Sequence, residues 1–409
     1  LCACPAPFQL VENALMPAPM MDTYAPPEVV FDHGKGVRLY TAEGASYLDC
    51  ISGIAVNCLG HAHPKAVAAL QGQAEKLWHL SNMFKVPAGI DLAKKLTDNT
   101  FADRVFFTNS GAEAVECSLK TARKYQFDNG NPQRYRIITF KGAFHGRTYG
   151  AINAGGNPAY LKGFGPAMEG FDQVEFGDLD ATKNAITEET AAIIVEPVQG
   201  EGGVRAPEDT FLRGLRQLCD EHGLMLIYDE VQSGAGRTGK LFAHQWVDGA
   251  EPDIMAAAKG LGGGFPMGAC LATEAASKGM VVGTHGSTYG GGPLAMAVGN
   301  VVMDELTTEG FMESVVDVSN FMRQQLHGLM DRHSDKVVEV RGKGLLIGLK
   351  LQDGFNPKKL VGLARDRNLL IGAAGDNVSR MAPPLILSKD DASEAIAILD
   401  DALAALQAD

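Results

Sequence analysis

The sequence predicts an α/β protein: a large domain with a mostly parallel sheet flanked by helices, joined to a smaller α+β unit. Three observations carry this. From about residue 60 to 300, short apolar runs alternate with longer amphipathic stretches. The runs are mostly apolar throughout and do not alternate with polar residues, as strands covered on both faces require. After Pro293 the pattern changes to a long helix, strands and a final helix. A chain of 409 residues is long enough for one large and one smaller core.

In chain order, residues 1–59 form an N-terminal segment in which "GVRLYTAEG" (36–44) and "SYLDCISG" (46–53) look strand-like and join the smaller unit. Residues 60–296 form the large domain. Its strands are "RVFFTNS" (104–110), "RIITF" (136–140), "AAIIVEP" (191–197), "LMLIYDE" (224–230), "DIMAAAK" (253–259) and "GACLATE" (268–274), with helical patterns at 111–126 and 207–223 between them. Residues 297–409 form the C-terminal small domain, with strands around "VVEVRGKGLLIGLKL" and a last helix over 389–407. The sequence contains no internal repeat.

Apolar residues at 45% and charged residues at 21% mark a soluble globular chain. A net charge of −13 with no Lys/Arg cluster argues against nucleic acid and anionic membrane and for a small-molecule partner. Seven cysteines, an odd number without repeated pairing, point to a reducing, cytoplasmic compartment. Cys2-x-Cys4 has no second half of a metal site nearby, and no metal is expected. The uncharged stretch 279–303 has the length of a membrane span, but its glycines, proline and hydroxyls make it loop running into helix. The Pro/Ala-rich start lacks the basic and apolar regions of a signal peptide, and residues 1–15 are set aside as a leader.

The stretch "LMLIYDEVQSGAGRTGK" (224–240) contains two phosphate-binding spellings: Gly234, Gly236 and Gly239 as G-x-G-x-x-G, and Gly234 to Lys240 as most of a P-loop. Neither fits. A dinucleotide fingerprint starts at the strand end, whereas here Asp229 and Glu230 intervene and would repel a pyrophosphate. In a P-loop a hydroxyl follows the lysine, and here Leu241 does.

The informative residue is Asp229, at the carboxyl end of a buried parallel strand, where such sheets open onto their ligand crevice. A carboxylate there needs a positive partner. Lys259 ends the next strand and is followed by a glycine loop; a lysine so placed is paired or chemically used, and desolvation makes it a nucleophile toward carbonyls. Together they suggest pyridoxal 5'-phosphate, with Lys259 holding the aldehyde carbon and Asp229 keeping the pyridine nitrogen protonated. "TNSGAEA" (108–114) runs from a strand end into a helix N-terminus, so the Ser110 hydroxyl and the Gly111 and Ala112 amides can bind a phosphate. "KGAFHGRT" (141–148) offers Phe144 for stacking, beside Arg147.

These stretches, with "GIAVNCLGHAHP", "EPVQGEGG", "PDIMAAAKGLGGGFPMGA", "GSTYGG", "RGKGLLIG" and "APPLILS" in order over residues 20–405, resemble the class III (ornithine-type) aminotransferases of fold type I, and within them the acetylornithine branch. The resemblance implies a seven-stranded large-domain sheet, Lys259 as the catalytic, cofactor-linked lysine, Asp229 at the ring nitrogen and Gln232 near the ring 3'-oxygen. It also implies Phe144 on the ring, and Ser110, Gly111 and Ala112 at the phosphate. Thr288 would reach the phosphate from the other subunit of a homodimer with shared sites. For substrate it implies Arg147 at a distal carboxylate, Ser287 nearby, Arg380 at the α-carboxylate of glutamate, and Glu201 masking Arg380 while the amine donor reacts.

Gly53 stands where ornithine δ-aminotransferases carry a tyrosine that serves free ornithine, which favours N2-acetylornithine with 2-oxoglutarate. Succinylornithine, succinyl-diaminopimelate and other ω-amino donors are the alternatives. Gly292 replaces the family's usual asparagine, and Lys85 stands where an aromatic or polar residue is common; both bear on substrate range. His61 and His63 read as turn and packing residues. Racemases, decarboxylases and an aminomutase on the same fold share the lysine and aspartate. Arg147, Glu201 and Arg380, a set for two alternating substrates, favour transamination.

Overall fold

A computed structural model describes residues 20–409; Cys2, Cys4 and the leader-like stretch 1–15 lie outside the described residues. Its centre is a seven-stranded sheet built from β1 (Arg104–Thr108), β2 (Arg136–Phe140), β3 (Phe171–Val174), β4 (Thr190–Val195), β5 (Met225–Asp229), β6 (Ile254–Ala257) and β7 (Gly268–Ala272). The spatial order is β1-β7-β6-β5-β4-β2-β3. β7 runs antiparallel to both its neighbours, and the remaining pairs are parallel.

The apolar runs explain themselves in this frame. β4, β5, β6 and β7 are buried at every position, because helices cover both faces. The seventh strand, β3 ("FDQV"), has no counterpart in the apolar pattern because it sits at the sheet edge. There half its positions are polar, and Asp172 pairs with Arg136 of β2 across the ladder at 2.8 Å.

A second sheet of four antiparallel strands, in the order Val337–Lys343, Leu346–Leu351, Val378–Met381 and Gly372–Ala374, carries helices Phe311–Arg332, Pro357–Arg365 and Lys389–Ala405. Strand Ser46–Asp49 pairs in parallel with Leu369–Leu370, so residues from the start of the chain are hydrogen-bonded to its C-terminal part. Five cysteines among the described residues are free and buried. No helix among the described residues is long and apolar enough to cross a membrane.

The loop that spells a nucleotide motif packs the two sheets together. Arg237 is 2% exposed and donates from Nη1 to the carbonyls of Leu345 (3.1 Å) and Pro383 (2.5 Å). A Cβ at Gly234 would come within 2.6 Å of the Glu230 carbonyl and one at Gly344 within 2.4 Å of the Thr238 backbone, so these glycines mark close backbone approach, with no phosphate involved.

Candidate active site

The strand ends of β4, β5 and β6 open onto one cavity, whose walls include Gly111, Ala112, Phe144, Asp229, Gln232 and Lys259. Asp229 ends β5 and is 4% exposed; its Oδ1 accepts from the Val231 amide (3.0 Å) and its Oδ2 pairs with His145 Nδ1 (2.7 Å). Its sequence neighbour Glu230 points the other way. It is fully buried and accepts from the Ser233 hydroxyl (2.9 Å), the amides of Ala243 (2.7 Å) and His244 (2.8 Å), and pairs with His244 Nδ1 (2.9 Å).

Lys259 follows β6 in a left-handed conformation (φ 46°), an unusual one for a side chain with a Cβ, and the Gly260–Gly264 loop supplies the freedom around it. Burial is the largest influence on its amine and pushes the pKa down to about 8; Glu201 opposes the fall and Arg380 adds to it.

Two residues without an assigned role complete the polar floor. His145 is buried, and although burial disfavours its charged form, the hydrogen bond and charge of Asp229 raise its pKa. Its Nε2 has no partner. Glu196, just past β4, accepts from the amides of Phe144 (2.9 Å) and Gly200 (3.4 Å). Burial, with Asp229 adding and His145 opposing, raises its pKa to about 7. The signal for Glu196 was present, since "AAIIVEP" ends in a carboxylate as "LMLIYDE" does. His145 lies between Phe144 and Arg147, but only the fold brings it to Asp229, 84 residues away.

The far wall is the N-terminus of helix Gly111–Asp128, capped by Ser110, whose Oγ accepts from the Glu113 amide (3.2 Å). A Cβ at Gly111 would fall 2.6 Å from Val231 Cγ1, and one at Gly146 2.6 Å from the Ala112 Cβ, so side chains are excluded where the helix meets the cavity.

Above the cavity, Glu201 pairs with Arg380 at 2.5 Å, and Arg380 also donates to Gln232 Oε1 at 3.2 Å. Burial works against the Glu201 charge, but Arg380 outweighs it and holds the carboxyl below its usual range. Arg147 lies in an adjoining hollow with Tyr24 and Tyr160, its guanidinium 3.8 Å from the Tyr160 ring centroid. Thr288 and Ser287 are outside the cavity walls: Thr288 is exposed, and Ser287 Oγ accepts from Asn109 Nδ2 (3.2 Å) and the Gly290 amide (2.9 Å). His61 pairs with Asp49 (2.8 Å), and His63 lies 3.9 Å from Glu305.

The lining fits pyridoxal phosphate. Lys259 offers an amine for the aldehyde, Asp229 a buried carboxylate for a protonated ring nitrogen, and Phe144 and Val231 apolar walls for the ring. The Gly111 and Ala112 amides, at the positive end of an 18-residue helix, face where a phosphate would go.

Residues 20–403 match the family described as "Aminotransferase class-III". Acetylornithine aminotransferase 2 of Caulobacter vibrioides is 58% identical over 390 residues, which is 95% of this chain and 96% of that one. The structure of N-acetylornithine aminotransferase from Stenotrophomonas maltophilia superposes with a TM-score of 0.81 at 37% identity, covering 93% of this chain and 96% of its own. That of ornithine aminotransferase from Toxoplasma gondii, with pyridoxal phosphate at partial occupancy in its active site, gives 0.90 at 31% identity, covering 94% and 92%.

Proposed function

This chain belongs to the class-III aminotransferases, and from that premise we propose that it moves the δ-amino group of N2-acetyl-L-ornithine to 2-oxoglutarate, giving N-acetylglutamate 5-semialdehyde and L-glutamate. Pyridoxal 5'-phosphate is the cofactor. The observation that carries the reading is the pairing, in one cavity, of an amine held near pH 8 with a buried carboxylate at the neighbouring strand end.

When bound, the cofactor supplies an electron sink for the bond broken at the amine-bearing carbon. The rest of the work falls to the chain. Lys259 would hold the aldehyde carbon, and its Nζ, when free, is the base placed to take the proton from the donor Cδ. Asp229, backed by His145, keeps the ring nitrogen charged, and Gln232 serves the ring oxygen. Phe144 stacks on the ring, while Ser110, Gly111 and Ala112 bind the phosphate.

Arg147 takes the distal carboxylate, with Ser287 assigned to reach it from the other copy as Thr288 does the phosphate, and Arg380 takes the α-carboxylate of glutamate or 2-oxoglutarate. Glu201 neutralises Arg380 when the donor's uncharged methylene chain passes it and moves off when a carboxylate arrives. Gly53, which stands where the ornithine enzymes carry a tyrosine, is assigned to leave room for the acylated nitrogen; its φ of 65° suits glycine at that position. Thr288 is assigned to the phosphate of the opposite site in a cytoplasmic homodimer, each copy lending it to the other.

The test is the visible spectrum of the purified enzyme. Adding N2-acetyl-L-ornithine without a keto acid abolishes the cofactor's absorption band, and 2-oxoglutarate restores it. A band that ignores the donor overturns the substrate assignment.

A further inference from the structure

Beside the catalytic cavity lies a second, more polar chamber that shares two walls with it, Phe144 and Glu201, and is completed by Tyr160, Arg205, Arg341 and Asp376 among others. Its charges are almost all matched. Glu201 is paired with Arg380 (2.5 Å). Asp376 is paired with Arg341 (2.5 Å) and Lys350 (2.8 Å), and Arg341 also holds Glu339 (2.6 Å). The exception is Arg205. Among the described residues its guanidinium makes no hydrogen bond or ion pair and rests over the Phe176 ring, 5.3 Å from the centroid. Its backbone is fixed, exchanging two 2.9 Å hydrogen bonds with Gln199 at the base of the loop that carries Glu201.

Neither substrate proposed above uses this cation. 2-Oxoglutarate has two carboxylates, assigned to Arg380 and Arg147, and an acetyl group is neutral. The chamber, however, shares a wall with the hollow that holds Arg147. Arg147 is stacked on Tyr160, and Tyr160 is a wall of both the Arg147 hollow and the chamber. For a donor anchored by its α-carboxylate at Arg147, the space beyond Tyr160 that Arg205 lines is open to the α-nitrogen substituent.

We propose that Arg205 is a specificity-determining residue of this chain, binding a carboxylate at the end of the donor's acyl group and so discriminating among the acylated donors already named. This rests on the placement of the α-carboxylate at Arg147. A guanidinium meets a carboxylate through two parallel hydrogen bonds, and its ring-stacked, backbone-fixed position lowers the entropy cost of that contact.

The test compares three donors, N2-acetyl-, N2-succinyl- and N2-succinamoyl-L-ornithine, with wild type, Arg205→Met and Arg205→Lys, each with its cofactor bound. The succinamoyl compound has the length of the succinyl one without its charge. In wild type the succinyl donor is expected to exceed the succinamoyl donor in kcat/KM by roughly tenfold, mainly through KM. Arg205→Met is expected to erase that preference and to change acetyl turnover by no more than about twofold, with Arg205→Lys keeping part of the preference.

Equal use of the charged and neutral donors by wild type, or an equal loss for all three in Arg205→Met, overturns the assignment. An enzyme that uses the acetyl donor and rejects the succinyl one overturns this inference alone; one that uses neither overturns the proposed reaction as well.

Discussion

Asp229 and Glu230 are adjacent, equally buried carboxylates at the end of one strand, and they belong to different regions of the molecule. Asp229 faces the cavity, where its neighbours are few and titratable: a histidine with a free ring nitrogen, a glutamate raised to about pH 7, and an amine lowered to about 8. Glu230 faces the 233–244 stretch and is saturated by four protein donors. The difference teaches that burial alone does not mark a functional carboxylate. What marks it is burial with hydrogen-bonding capacity left open toward a space a ligand can enter. Arg237 and Arg380 repeat the contrast among the cations. Arg237 is spent on the backbone carbonyls of Leu345 and Pro383, whereas Arg380 is held by a single glutamate that lines the cavity.

The cavity side breaks most severely at its amine. Lys259→Ala is expected to lower kcat by about four orders of magnitude or more, since both the covalent anchor and the proton carrier are removed. Single-turnover kinetics with the cofactor added in excess checks this. In the cofactor-free protein, the lowered pKa of Lys259 has a definite sign: the amine loses its proton as pH rises through about 8 and is the neutral nucleophile above that. At pH 8 about half of it is reactive, where an ordinary lysine near 10.4 would be under about 1% neutral. Borohydride trapping of added pyridoxal phosphate should therefore rise with a midpoint near pH 8, and a midpoint above about pH 10 would contradict the buried setting.

The two carboxylates separate next. Asp229→Asn is expected to reduce kcat by about two orders of magnitude with little loss of fold stability, because the charge at the ring nitrogen is lost while the amide can still bond His145. Glu230→Gln is expected to do the reverse. Its new NH2 would face either the Ala243 or the His244 N–H donor, costing about 3 kcal/mol of stability, while kcat per folded molecule stays within about threefold. Urea unfolding and active-site titration on the same preparations decide whether the two regions are independent.

How much of this was legible beforehand follows the same division. Asp229 and Lys259 stood out because a charge ending an apolar run is conspicuous, and six of the seven strands showed because their runs are mostly apolar, four of them buried at every position. The edge strand Phe171–Val174 did not show, since half its positions meet solvent or pair polar partners. Glycine spacing could be seen, but its meaning could not: the motif from Gly234 to Gly239 depends on a backbone more than 100 residues later that packs against it. His145 was invisible for the same reason, its role being a contact 84 residues distant in sequence.

The smallest effect tests the contact proposed to change during the cycle. Glu201 is half-buried, and its carboxyl is held ionised by Arg380, so it is charged throughout the neutral range. With Glu201→Gln, Arg380 keeps a hydrogen-bond acceptor but loses its counter-charge and presents a bare guanidinium to every ligand. The donor half-reaction then places a methylene chain against an unneutralised cation, and its kcat/KM is expected to fall about tenfold. The keto-acid half-reaction brings its own carboxylate and no longer has to displace Glu201, so its KM is expected to be unchanged or up to about threefold lower. Stopped-flow measurement of each half-reaction separately resolves the two. Equal losses in both would mean that Glu201 only braces Arg380, and the asymmetry that lets one pocket serve two unlike substrates would have to come from elsewhere in the cavity.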